Sequence, residues 1–139
     1  MKKLFLNIKK HPVAYIVASF VSLAIGFTIF ALFYFWLRKF SIVGAVDGTG
    51  VAGAALIGVF GLAWLSRQGA FDFMTYGFNQ ALASMFNKQA NKYHDMVEYK
   101  EQKNISRAQS GLYYFSFLFV GFLHLVAFSV LEIILHTLY

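Results

Sequence analysis

Ionisable side chains inside apolar runs are costly, so in a chain with few of them each one marks a candidate for chemistry. His124 falls near the middle of an uncharged run that begins at Gly111, and Glu132 and His136 sit four residues apart toward its far end. Glu and His at that spacing share a helical face, where they can pair or contribute to holding a divalent cation. Two ligands fall short of the three or four that a zinc centre takes, and His124 is offset around the helix from Glu132. The expectation is therefore a neutral His124 hydrogen-bonded to a neighbouring helix, with Glu132 and His136 close to water. Asp47 interrupts the start of a second apolar run. It is expected to cap that helix near Gly48 by accepting free N–H groups of the following turn.

Other constellations are thinner. Gly48-Thr49-Gly50-Val51-Ala52-Gly53 spells G-x-G-x-x-G, which binds dinucleotides only where it joins a strand to a helix in a βαβ unit. Here it opens an apolar run with no room for a parallel sheet around it. His94, Asp95 and Glu98 fall in a charged stretch and are expected to face solvent. The chain has no Cys, which removes thiolate metal sites, cysteine nucleophiles and disulfides. No Ser/His/Asp arrangement, carboxylate pair or ligand cluster stands out, so the expectation is no catalytic residue, no metal and no cofactor.

The elements that position these residues are membrane helices. Hydrophobic residues make up 59% of the 139 and charged residues only 13%, against about 45–50% and about 25% in soluble domains. The excess is gathered in three runs, about 13–37, 42–65 and 111–135. Each exceeds or matches the ~20 residues that carry a helix across ~30 Å of hydrocarbon. In the first, Tyr34 and Trp36 precede Arg38 and Lys39 as an interfacial aromatic belt. Its length and its Phe33-Tyr34-Phe35-Trp36 end are unlike a cleaved signal peptide, so it is read as retained. The segment before Pro12 alternates Lys with Leu4, Phe5 and Ile8, as an interfacial helix would.

The second run is rich in Gly and Ala. Gly50, Ala54 and Gly58 recur at four-residue spacing, a row that lets helix backbones approach closely in lipid. Residues 66–110 form the one long polar stretch. Within it Phe71, Met74, Phe78, Leu82 and Met85 follow spacings of three and four, predicting an amphipathic helix over 71–87 along the membrane surface, with Gly69 as the bend. Phe71 and Phe73 would anchor that helix and Asp72 would cap it. Residues 88–107 read as a charged, solvated helix. The fold class expected is thus all-α: a single membrane domain over 1–139 with three transmembrane helices, an interfacial amphipathic helix and a charged cytoplasmic helix.

Four Lys or Arg residues precede the first span, two lie between the first and second, six between the second and third, and none follows the third. The positive-inside rule then places the amino terminus in the cytoplasm and the carboxyl terminus outside. A formal charge of +6 is accounted for by these flanks, which can meet anionic headgroups, and nucleic acid is not an expected partner.

The run Ser66 to Gln80, SRQGAFDFMTYGFNQ, together with HDMVEYKEQK at His94 to Lys103, resembles a family of small integral membrane proteins of low-GC Gram-positive bacteria and mycoplasmas known only as a domain of unknown function. The residues that carry the likeness are Gly69, Phe71, Asp72, Tyr76, Gly77, Phe78, Tyr93 and the Glu98-Tyr99-Lys100-Glu101 run. The resemblance implies a membrane placement and an organism class, implies no reaction, and directs attention to Gly69–Phe78.

The functional expectation is a non-enzymatic membrane protein, an accessory, scaffold or regulatory subunit acting through helix–helix association. Its partners would be the lipid bilayer and another membrane protein or a second copy meeting the Gly/Ala-rich span. The alternative is a subunit of a small transporter or ion channel using Asp47, His124 and Glu132.

Overall fold

The computed structural model describes residues 12–37, 40–85 and 95–138. The amino-terminal segment before Pro12, the Arg38-Lys39 turn and the residues from Phe86 to His94 lie outside the described residues, so the expected amino-terminal interfacial helix, the Arg38-Lys39 stop and the end of the amphipathic helix do too.

All regular structure among the described residues is helical. Helix α1 spans Pro12–Ala31 and continues as a π-helical turn over Leu32–Leu37. Helix α2 spans Ile42–Arg67, α3 Asp72–Met85, α4 Met96–Gln109 and α5 Phe115–Leu138. Three of them, Pro12–Trp36, Ile42–Arg67 and Phe115–Thr137, are long and apolar enough to cross a membrane. The protein is an all-α integral membrane protein. The third span starts at Phe115 rather than Gly111, because Tyr113 and Tyr114 form a turn in which the Phe115 N–H donates to the Leu112 carbonyl at 3.1 Å.

Helix ends follow local chemistry. Pro12 opens α1, where its missing N–H costs nothing. Phe40, beyond the π turn, adopts φ +64°, a left-handed conformation that ends helices. Its N–H donates to the Tyr34 carbonyl at 2.9 Å, and its ring packs edge-on to Tyr34 and Phe35. Helix α2 begins at Ile42, and Ser41 accepts the Gly44 N–H at 3.0 Å. The cap is therefore Ser41, six residues before the expected Asp47, which sits half-buried inside the helix. Asp95 caps α4, its carboxylate accepting the Glu98 N–H at 2.7 Å.

Hydroxyls in the spans bond their own backbone: Ser22 to Ala18 O, Thr28 to Ala24 O, Thr49 to Ala45 O and Ser129 to Leu125 O. In hydrocarbon no water is present to satisfy them.

The chain groups into two compact units, Met1–Gly61 with Leu112–Tyr139, and Leu62–Gly111. In the first unit α1 packs on α5, and glycines set the approach of the helices. A Cβ on Gly53 would lie 3.1 Å from the Gly121 carbonyl oxygen, and one on Gly121 would lie 3.1 Å from that of Gly53. A Cβ on Gly48 would meet the Phe30 carbonyl at 3.0 Å. These are backbone-to-backbone contacts of the kind that hold helices together in lipid.

Candidate functional site

The polar residues of the second unit form one connected structure. Helix α2 ends at Arg67, and only Gln68 to Phe71 separate it from α3. The reversal needs a left-handed residue, supplied by Gly69 at φ +88°. Space demands glycine there as well, since a Cβ would stand 2.9 Å from Asp72 Oδ2 and 3.4 Å from Arg107 Nη1. Asp72 is the first residue of α3 and only 5% exposed. Arg107, in the last turn of α4, grips it in a bidentate pair: Nη1 donates to Oδ2 at 2.8 Å and Nη2 donates to Oδ1. Asn104 Oδ1 accepts a further bond from Arg107 Nη1 at 3.3 Å.

Arg67 closes the other side. Its Nη2 donates to the Arg107 carbonyl at 2.7 Å and its Nη1 to the Gly111 carbonyl at 3.0 Å, with longer contacts to Ser110. The last carbonyls of a helix lack intrahelical partners and carry the negative end of its dipole, so a guanidinium there satisfies both needs. Deeper in the hairpin, Tyr99 is 1% exposed and its ring lies 5.6 Å from that of Tyr76. Lys103 Nζ stands 5.7 Å from the Tyr99 ring centroid.

The electrostatics follow the geometry. The hydrogen bonds from Arg107 hold the Asp72 carboxyl below the usual carboxylate range; burial opposes this, and the charges of Arg107, Lys103 and Lys100 add to it. The bonds to Asp72 in turn raise the Arg107 guanidinium, against its own desolvation. Both groups stay ionised at neutral pH.

The sequence-predicted residues fall in three places. Gly69, Asp72 and Tyr76 belong to this structure. Asp72 does not cap α3 as expected, because its carboxylate is spent on Arg107. Phe71 and Phe78 lie on the exposed side of α3 with Met74, Leu82 and Met85.

Gly50 packs inside the first unit, where a Cβ would be 2.9 Å from the Phe128 ring. Ala54 is exposed, and a Cβ on Gly58 would meet nothing within 4 Å. The interior face of α2 uses a different row, Gly44, Gly48 and Ala52, joined by Gly53 and Leu56. The G-x-G-x-x-G glycines thus lie within a continuous helix, and the motif has no strand before it.

His124 and Glu132 bond along their own helix. His124 Nδ1 lies 2.9 Å from the Val120 carbonyl, so the expected bond to a neighbouring helix is replaced by one within α5. The edge of its ring packs against Gly26 of α1, where a Cβ would be 2.7 Å from Cε1. Glu132 Oε1 pairs with His136 Nε2 at 3.3 Å near the exposed end of α5. Among the described residues no three His, Asp or Glu side chains gather into a metal-holding group.

Sequence reasoning missed Arg67, Arg107 and Ser110 as partners, counting the arginines only as topology charges. It also missed the Asp95 cap, which the Asp95-x-x-Glu98 spacing signals.

The family described as Domain of unknown function (DUF3899) matches residues 48–135. The chain belongs to this family, and the match takes in most of α2, all of α3 and α4, and most of α5. No curated protein and no solved structure matches the chain significantly.

Proposed function

We propose that this member of the family is a non-catalytic membrane protein that works by association, as an accessory, scaffold or regulatory subunit. Its amino terminus and the Leu62–Gly111 unit lie on the cytoplasmic side and its carboxyl terminus outside, as the distribution of Lys and Arg favours. The observation that carries the reading is the two-sidedness of α2. The face with Gly44, Gly48, Ala52 and Gly53 is used within the chain, whereas Ala54 and Gly58 on another face are exposed. A second small-residue row open on a membrane helix suits close approach by a further helix. The polar groups of the second unit support the same reading: Arg67, Asp72 and Arg107 are engaged in holding α2, α3 and α4 to one another.

Because the chain has no Cys, single cysteines can test this directly. In native membranes Ala54→Cys or Gly58→Cys is expected to cross-link to a second copy or to another membrane protein, and Gly58→Leu to abolish the cross-link formed from Ala54→Cys. Absence of any cross-link from both positions would overturn the association reading. Reporter fusions check the sidedness: a cytoplasm-only reporter at Asn91 is expected to be active and one after Tyr139 silent, and the opposite pattern would reverse the topology.

A further inference from the structure

The α3–α4 hairpin divides its exposed chemistry by side. On α3 the residues turned to α4 are Asp72, which binds Arg107, and Tyr76, whose ring packs at a tilt against that of Tyr99. Phe71, Met74, Phe78, Leu82 and Met85 form an exposed apolar strip, with Met74 69%, Phe78 65% and Met85 78% exposed, and Phe73, off that strip, is exposed as well. On α4, Lys100, Lys103 and Arg107 follow spacings of three and four and so share one strip. That strip faces α3: Arg107 binds Asp72, Lys103 lies by the Tyr99 ring, and the charges of Lys103 and Lys100 both act on the Asp72 carboxyl. Glu98 and Glu101 fall on the far side of α4. The basic side chains of α4 thus lie toward the helix that carries the apolar strip, and the acidic ones away from it.

Connectivity decides what such a surface meets. Four residues, Gln68 to Phe71, join the second span to α3, and five, Ser110 to Tyr114, join α4 to the third span. On the proposed topology, a hairpin leashed this closely at both ends meets the cytoplasmic bilayer surface. Large apolar side chains there partition into the acyl boundary, and lysines above them meet headgroups. Asp72 neutralises Arg107 and leaves Lys100 and Lys103 as the net charge of the strip.

We infer that the α3–α4 hairpin is a binding surface for anionic phospholipid, inserting Met74, Phe78 and Met85 at the acyl boundary while Lys100 and Lys103 engage the headgroups. This rests on the placement of α3 along the cytoplasmic membrane surface and adds the lipid chemistry it selects.

The test uses the full chain in nanodiscs of phosphatidylcholine alone or with phosphatidylglycerol. A water-soluble amine reagent reports exposure of each lysine by mass spectrometry, and single-cysteine spin labels at Met74, Phe78 and Gln80 report depth. Labelling of Lys100 and Lys103 is expected to slow about fivefold in the anionic discs and to recover in high salt. The lysine of Glu101→Lys, on the opposite side, is expected to label equally in both lipids. Inorganic phosphate added to phosphatidylcholine discs is expected to give no protection.

Buried labels at Met74 and Phe78 with lysine labelling independent of lipid charge would overturn the anionic-lipid inference and leave the surface placement standing. Water-exposed labels at both positions would overturn the placement and the inference together. Protection that depends on two copies per disc, whatever the lipid, would assign the face to a second copy of the chain and overturn the inference as well.

Discussion

Arg107→Ala is the perturbation on which the second unit should depend most. It removes both hydrogen bonds to the Asp72 carboxylate and leaves that charge withdrawn from water. The backbone carbonyl of residue 107 remains available to Arg67. Side-chain exposure is 18% for Arg107 and 7% for Asp72, so the pair is too deep for the ~0–1 kcal/mol of a surface ion pair. It is too near the rim for the full ~3–5 kcal/mol lost when one partner of a buried pair is deleted. A cost of about 2–3 kcal/mol follows, or roughly a 30- to 150-fold change in an opening equilibrium at 1.36 kcal/mol per tenfold. Hydrogen exchange of the α4 amides from Tyr99 to Arg107, measured in nanodiscs, reads this directly. Asp72→Leu combined with Arg107→Met should cost less than Arg107→Ala alone, because no charge is stranded. If Arg107→Ala changes exchange less than about twofold, or if the Asp72 and Arg107 substitutions add without interaction, the pair does not hold the hairpin.

The same pair fixes a pH response. The Asp72 carboxyl is held below its ordinary value, so the stabilisation is complete above about pH 4, where the unfolded carboxyl ionises, and is lost as pH falls through the lower folded value. Tertiary protection of α4, corrected for intrinsic exchange, should therefore be flat from pH 5 to neutrality and fall only at more acid pH. Gly69→Ala should destabilise the hairpin by about 1–2 kcal/mol from the left-handed backbone alone, and more where its Cβ meets Asp72 Oδ2; fluorescence of a probe on α3 against denaturant would read the shift. Gly53→Leu should abolish the monodisperse detergent-solubilised protein, since Leu125 and the Gly121 carbonyl occupy the space. Gly58→Leu should leave the monomer intact by size-exclusion chromatography, since nothing lies within 4 Å of that Cβ.

What the sequence made legible was set by range. The spans follow from apolar runs, which need no partner to be recognised, and the bend at Gly69 and the strip on α3 follow from local type and spacing. Caps were harder: Asp47 and Ser41 both suit the role, and the choice depends on where apolar periodicity is allowed to begin in a Gly/Ala-rich stretch. The small-residue row was ambiguous for a related reason. With Gly44, Gly48, Gly50, Gly53 and Gly58 in one helix, several four-residue rows coexist, and only the neighbouring helix selects among them. The Asp72–Arg107 pair joins residues 35 apart, and no local pattern connects a first-turn Asp to an Arg in another helix.

The reach of Arg67 bears on how the chain is made. Its acceptors at Arg107 and Gly111 lie 40 and 44 residues downstream, so the guanidinium ending the second span is synthesised well before these two carbonyls. The full set of bonds needs residue 111, immediately ahead of the third apolar run. In the finished fold Arg67 therefore ties the end of the second span to the far end of the hairpin, next to where the third apolar run begins.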